Sequence, residues 1–234
     1  MLIADLKYRD ETPEIMDDFS LPAELVDPVL AGLDQMNVIF GGHSDIINAL
    51  TKFNLSGTVH ISDWGCGGGE SLRAIARWAE NQNLDVQLTG IDAAATAVKY
   101  ARNQSSSFQN IRFIQANVLD AETCDEQTDI VICSLFTHHF NDDQLVTLLR
   151  NMSNCARRGI IITDLHRHWV LYYAVKLITR LFTTNPMARN DGPLSVKKAF
   201  KRGELLSVLK KAQIDNFKLT WMWPFRWRVI VSKL

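Results

Sequence analysis

Disulfide-framework and zinc-ribbon chemistry find little support in this sequence. Its 234 residues hold four cysteines, Cys66, Cys124, Cys133 and Cys155, with no CxxC pair. Reduced thiols in a cytoplasmic protein are the expectation, and no metal site is expected. The longest apolar run, Trp169 to Phe182, is interrupted by Lys176 and Arg180. It falls short of the roughly 20 residues that a membrane span needs. No export signal is read at the N-terminus. Asp10, Glu11, Glu14, Asp17 and Asp18 follow a short apolar start, and no h-region appears. Glycine and proline are sparse, at 12 and 6, and they form no linker or repeat. One domain over 1–234 is therefore expected.

What is present is core material: 47% of the residues are hydrophobic. The net charge of −1 conceals an imbalance, with −13 over residues 1–155 and +12 over 156–234. Either the two halves neutralise one another on folding, or the basic half forms a surface for an acidic partner or an anionic membrane. Peripheral membrane contact stays open on that ground.

Residues 12–30 are acidic, carry Pro13, Pro22 and Pro28, and read as irregular chain or short helices. Val29 to Phe53 reads as helical, broken at Phe40-Gly41-Gly42-His43, with Ser44 able to cap a second helix. These make 1–57 an N-terminal helical cap. From Thr58 short apolar strands alternate with amphipathic helices. Strands are predicted at 59–63, 86–92, 111–114, 129–134 and 159–164, and helices at 70–80, 96–103 and 142–155. Residues 166–203 are expected to form a helical lid inserted after strand five. Its helix spans Trp169 to Phe182, and a polar loop runs on through Pro186, Asp191-Gly192 and Pro193. Residues 204–234 complete the chain with a helix and a hairpin split by Pro224. The fold class is α/β, a doubly wound Rossmann-like sheet of seven strands. The sheet is mostly parallel, with an antiparallel C-terminal hairpin.

Strand one ends in Asp63-Trp64-Gly65-Cys66-Gly67-Gly68-Gly69, a turn that lets a ligand approach backbone closely. Asp92 ends strand two, placed to accept hydrogen bonds from a ribose. A dinucleotide brings a pyrophosphate, which Asp63 and Glu70 beside this turn would repel. S-adenosylmethionine (SAM) brings a sulfonium and an ammonium and no phosphate, so electrostatics favours SAM.

The run Asp63-x-Gly65-x-Gly67-x-Gly69, with the spacing to Asp92, resembles the SAM motif of class I SAM-dependent methyltransferases. Ala116-Asn117-Val118 and Asp129 to Ser134 are similar to two further motifs of that family, with Asn117 where Asp is commoner. The resemblance covers 58–165, the SAM-binding core. It implies that Gly65 and Gly67 back the methionine part, with Asp63 beneath and Cys66 between. It implies Asp92 and Ala93 at the ribose, Asn117 and Val118 at the adenine, and Ser134 at the mouth where the methyl leaves. SAM as cofactor and S-adenosylhomocysteine (SAH) as product follow. Over a wider span the chain resembles small-molecule methyltransferases of bacterial polyketide or aryl-pigment pathways. Asn37 with Gly41-Gly42-His43, Asp164 to His168, and Asp191 to Val196 with Ala199-Phe200 carry that likeness. It implies a phenolic or polyketide-like acceptor, free or presented by a carrier protein.

Thr137-His138-His139 follows strand four and Asp164-Leu165-His166-Arg167-His168 follows strand five, the two strand ends that face the acceptor. Imidazole titrates near neutrality, so His138, His139 and His166 are the candidate bases; packing roles stand beside that reading. Nucleic acid is disfavoured. Where base-methylating enzymes often carry Asn/Asp-Pro-Pro-aromatic, this chain reads Ser134-Leu135-Phe136-Thr137. RNA or protein methylation, or a SAM-fold protein without catalysis, are the alternatives.

Overall fold

The computed structural model describes residues 4–39, 41–120 and 128–233. Phe40 and Cys124 lie outside the described residues. Five strands run parallel: β1 (Val59–Trp64), β2 (Val86–Asp92), β3 (Ile111–Gln115), β4 (Thr128–Ser134) and β5 (Ala156–Leu165). β6 (Phe217–Met222) and β7 (Arg226–Ser232) close the sheet in the order β3-β2-β1-β4-β5-β7-β6. β7 pairs antiparallel with both β5 and β6, for example Ile161↔Ile230 and Leu219↔Val229. The expected seven strands and their hairpin are all present.

Helices cover both faces because the central strands are apolar on both sides. Ile61, Leu88, Ile130, Ile132 and Ile161 pack against α2 (Gly42–Leu50), α3 (Glu70–Asn81) and α4 (Ala95–Gln104). Trp64, Val131, Cys133, Ile160 and Ile162 pack against α5 (Asp142–Cys155) and α8 (Arg202–Lys211). In α3 the predicted stripe Leu72, Ile75, Ala76 and Ala79 is buried as a face. α5 begins with a capping box, in which the Asn141 side chain accepts from Gln144 N–H at 2.9 Å.

Several expectations fail locally. α1 runs over Ala23–Ile39 with Pro28 inside it. Gly41 caps α2 at a φ of 72°, leaving Ser44 inside the first turn rather than at the cap. The expected polar loop is a helix, α7 (Pro186–Lys198). Asn185 accepts from Met187 and Ala188 N–H, and Pro186 stands in the first turn, where its missing N–H is harmless. α6 (Trp169–Phe182) forms as predicted, but Trp169 and Phe182 are exposed at 62% and 82%. Only Val175 and Thr179 of α6 are buried, so the predicted lid helix is held to the body along a narrow face. Cys66 and Cys133 are free buried thiols, whereas Cys155 is disulfide-bonded, which corrects the expectation of four reduced cysteines. Among the described residues, no helix is long and apolar enough to cross a membrane.

Candidate active site

From β1 the chain builds outward through β2 and β3 and then returns to β4 on the other side of β1. The crevice beyond the carboxyl ends of β1 and β4 is therefore the switch point where doubly wound sheets take ligands. The glycine-rich turn lies there. Gly65 and Gly67 adopt left-handed φ of 72° and 50°, which glycine tolerates best. Gly65 and Cys66 N–H both donate to Ile91 C=O, at 2.8 and 3.1 Å, locking the turn to β2. Asp92 accepts Gly67 N–H and Ala94 N–H at 2.9 Å each, so it also ties the glycine-rich turn to the turn after β2. The Phe136 ring lies on Gly65 so closely that a Cβ there would meet it at 2.2 Å.

Three carboxyls crowd the turn. Asp63 is 2% exposed, and its Oδ1 has no hydrogen-bond partner among the described residues. Burial first, then Glu70 and Asp92, push the Asp63 carboxyl well above the carboxylate range. Burial also raises Glu70, to about 7, and raises Asp92 against the two N–H donors that favour its charge. Further along, Asn117 folds on itself: Oδ1 accepts Leu119 N–H at 3.1 Å and Nδ2 donates to Asp120 at 3.3 Å. Val118 is buried in the core. Ser134 Oγ lies 3.0 Å from Thr163 Oγ1, linking β4 to β5.

β4 ends in a sharp turn with Leu135 at a φ of 52°, followed by a 3₁₀ turn at Thr137–His139. His138 is buried, and its Nδ1 meets Asp164 Oδ1 at 2.7 Å. Asp164 also accepts His138 N–H at 3.0 Å and the Thr137 hydroxyl. Burial would raise the Asp164 carboxyl, but its partners, His138 foremost, hold it below the usual value. The other imidazole nitrogen of His138 faces Glu14 Oε1 at 3.6 Å. His139 Nδ1 meets Asp17 Oδ1 at 2.7 Å. Residues 9–17 thus form a strap across the histidine turn. Arg9 donates to His138 and Phe140 C=O at 3.1 and 2.7 Å. Asp191 of α7 accepts Ile15 and Met16 N–H at 2.9 and 3.0 Å. Lys198 Nζ lies 3.2 Å from Asp17 and 3.7 Å from Glu14.

Residues 61–159 match the family model of a methyltransferase domain. That stretch is under half of the chain, and the fold around it is similar to that of SAM-dependent methyltransferases. An O-methyltransferase family protein from Burkholderia thailandensis has the same fold, at 12% identity and a TM-score of 0.68. The match covers 96% of this chain but only 65% of that protein. A SAM-dependent methyltransferase from Aquifex aeolicus matches at 14% identity and a TM-score of 0.65, covering 92% of this chain and all of that one. The plantazolicin methyltransferase BamL, solved with a triazolic desmethylPZN analog and SAH, matches at 14% identity and a TM-score of 0.66. That alignment covers 92% of this chain and 93% of BamL. Among curated proteins, no sequence matches this one.

The residues around the glycine-rich turn fit SAM. Three desolvated carboxyls, of which Glu70 and Asp92 push Asp63 up, with an unpartnered oxygen on Asp63, are relieved by a ligand bearing positive charge. Leu30 of α1 approaches Gly67, where a Cβ would lie 3.7 Å from it, so the N-terminal cap roofs the turn. The candidate bases separate. His138 and His139 share the turn after β4, their ring centroids 4.4 Å apart. His166 instead faces the hairpin, where its Nδ1 accepts from Trp221 Nε1 at 3.2 Å and its ring meets Trp227 edge-on. Burial lowers its pKa, and the neighbouring His168, Arg167 and Lys201 act in the same direction. His168 caps α6, accepting Val170 N–H at 3.2 Å. Glu14, Asp17 and Lys198 are the site-adjacent residues that sequence reasoning missed. Their contacts span more than a hundred residues of chain, and no local spacing announces them.

Proposed function

We propose that this methyltransferase transfers the methyl of SAM to a phenolic or enolic oxygen of a small, largely apolar acceptor, with His138 taking the proton. The carrying observation is the buried Asp164–His138 pair at the ends of β4 and β5. Asp164 fixes the proton on Nδ1 and leaves Nε2 as the lone-pair nitrogen, the arrangement of a general base. SAM supplies a methyl carbon on a sulfonium. The acceptor O–H gives its proton to His138, an O–CH3 bond forms, the S–CH3 bond breaks, and SAH leaves. Glu14 faces Nε2, so an acceptor hydroxyl reaches it only where the strap yields.

In this reading Asp63, Gly65, Cys66 and Gly67 hold the methionine end, and Asp92 and Ala93 the ribose. Asn117 and Val118 shape the adenine edge, and Ser134 borders the mouth. Phe136 and Phe140, packed edge-on at 4.9 Å, supply apolar surface beside the histidines. A cytoplasmic setting and an acceptor taken free or from a carrier protein belong to the same proposal. The test is single-turnover methyl transfer across pH 6–9 to a panel of phenols and enols. His138→Ala should lower turnover about 10²–10⁴-fold with SAM affinity nearly intact, whereas His166→Ala should change turnover little. A full-rate His138→Ala enzyme with an unshifted pH profile would remove His138 as base.

A further inference from the structure

We propose that Glu14, His138 and His139 form a binding site for one divalent first-row metal ion of the zinc type, where the strap crosses the histidine turn. Each of the three offers a ligand atom, and all lie within 4.8 Å of one another. Glu14 Oε1 and His138 Nε2 are 3.6 Å apart. A tetrahedral ion with bonds of about 2.1 Å has ligand–ligand edges of about 3.4 Å, so that pair already stands at bonding geometry.

The surroundings are those of a metal centre rather than of loose polar groups. Nδ1 of each histidine is held by a carboxylate, Asp164 for His138 and Asp17 for His139, both at 2.7 Å. Such a carboxylate fixes the tautomer and aims the ring, and on His138 it makes Nε2, which faces Glu14, the better donor. Glu14 is 7% exposed, yet its Oε1 has no hydrogen-bond partner among the described residues. Lys198 is the cation already present, and its Nζ lies nearer Asp17 than Glu14, at 3.2 against 3.7 Å. It clamps the strap to α7 without giving Oε1 a hydrogen bond. Two imidazoles and one carboxylate suit zinc or ferrous iron and leave a fourth position open, the pattern of catalytic rather than structural sites.

An acceptor hydroxyl in the open position would lose its proton to solvent near neutral pH, because the ion stabilises the oxyanion. His138 Nε2 would then serve as ligand, and the ion would take over the activation that His138 performs alone in the metal-free chain. Metal binding itself does not depend on the acceptor being a phenol or an enol, so the two readings fail separately.

The experiment titrates Zn²⁺ into chelator-stripped protein by calorimetry and records the visible spectrum with Co²⁺. One ion per chain is expected, with intense tetrahedral cobalt bands. Glu14→Gln and His139→Gln should each weaken binding tenfold or more. Asp164→Asn should weaken it about 10–100-fold through the loss of ring orientation. His166→Gln should bind like the wild type. The absence of saturable one-to-one binding overturns the proposal, as does equal affinity in Glu14→Gln and His139→Gln, or an equal loss in His166→Gln. SAH binding by each variant checks its fold. Should Glu14→Gln fail to fold, the wild-type cobalt spectrum decides, and bands no stronger than those of aqueous cobalt sink the site.

Discussion

Gly65→Ala isolates the closest approach in the site. Two costs add. Alanine must adopt a φ of 72°, which costs an L-residue about 1–2 kcal/mol. Its Cβ would also stand 2.2, 2.3 and 2.5 Å from three Phe136 ring atoms, so the ring must move. Overpacking of this kind costs about 1–3 kcal/mol. The sum is about 2–5 kcal/mol, and a chain of this size loses about 2–4 °C of Tm per kcal/mol. A drop on the order of 10 °C is therefore expected in thermal unfolding without ligand. Phe136→Ala separates the two parts. In that background Gly65→Ala should cost only the backbone strain, giving a coupling of about 1–3 kcal/mol between the positions. An equal loss in both backgrounds would refute the account of Phe136 seated on the glycine. No loss in either would refute the left-handed turn as well.

Asp92→Ala should weaken SAM and SAH by roughly tenfold or more, about 1.5–3 kcal/mol for lost hydrogen bonds to a charged group. It should also lower Tm, because the Gly67 and Ala94 N–H groups lose their acceptor; calorimetry and melts on one sample check both. Glu70 titrates at about 7 in the fold against an ordinary 4.5, so the folded chain holds its proton more tightly than the unfolded one. Its contribution to ligand-free stability should be full below pH 4.5 and fall away as pH rises towards 7. SAM binding should strengthen over the same window as the carboxylate ionises, and Glu70→Gln should flatten both profiles. α6, with two buried residues in fourteen, should exchange its amides faster than β4; equal protection would show a helix locked to the body.

The sheet and the glycine-rich turn after β1 were legible because their signals are local. Alternating apolar strands and helices fix a parallel sheet, and Asp63 through Gly69 lie in one short run with Asp92 at the next strand end. The histidines show where locality stops. His138 and His166 each follow a strand end, and nothing in their neighbours says that Asp164 reaches across to His138 while Trp221 claims His166. The α7 error has another cause. Asn185-Pro186 is a helix-start signal, but Asp191-Gly192-Pro193 argued more loudly for a loop. In α6 apolar residues surround the axis, so the sequence could not say which side is buried. The strap was beyond reach altogether, since His139 and Asp17 are separated by 122 positions.

The strand order has a consequence for synthesis. Of the seven described strands β7 is made after the other six, yet it lies between β5 and β6, buried along nearly its whole length. Until it leaves the ribosome, β5 offers an open, apolar edge and β6 has no neighbour. A nascent chain of this protein can assemble its glycine-rich turn early, because β1 to β4 pair among themselves, but it cannot seal its flank. The interval between those two events is when a chaperone, or another chain in the same state, has most to hold.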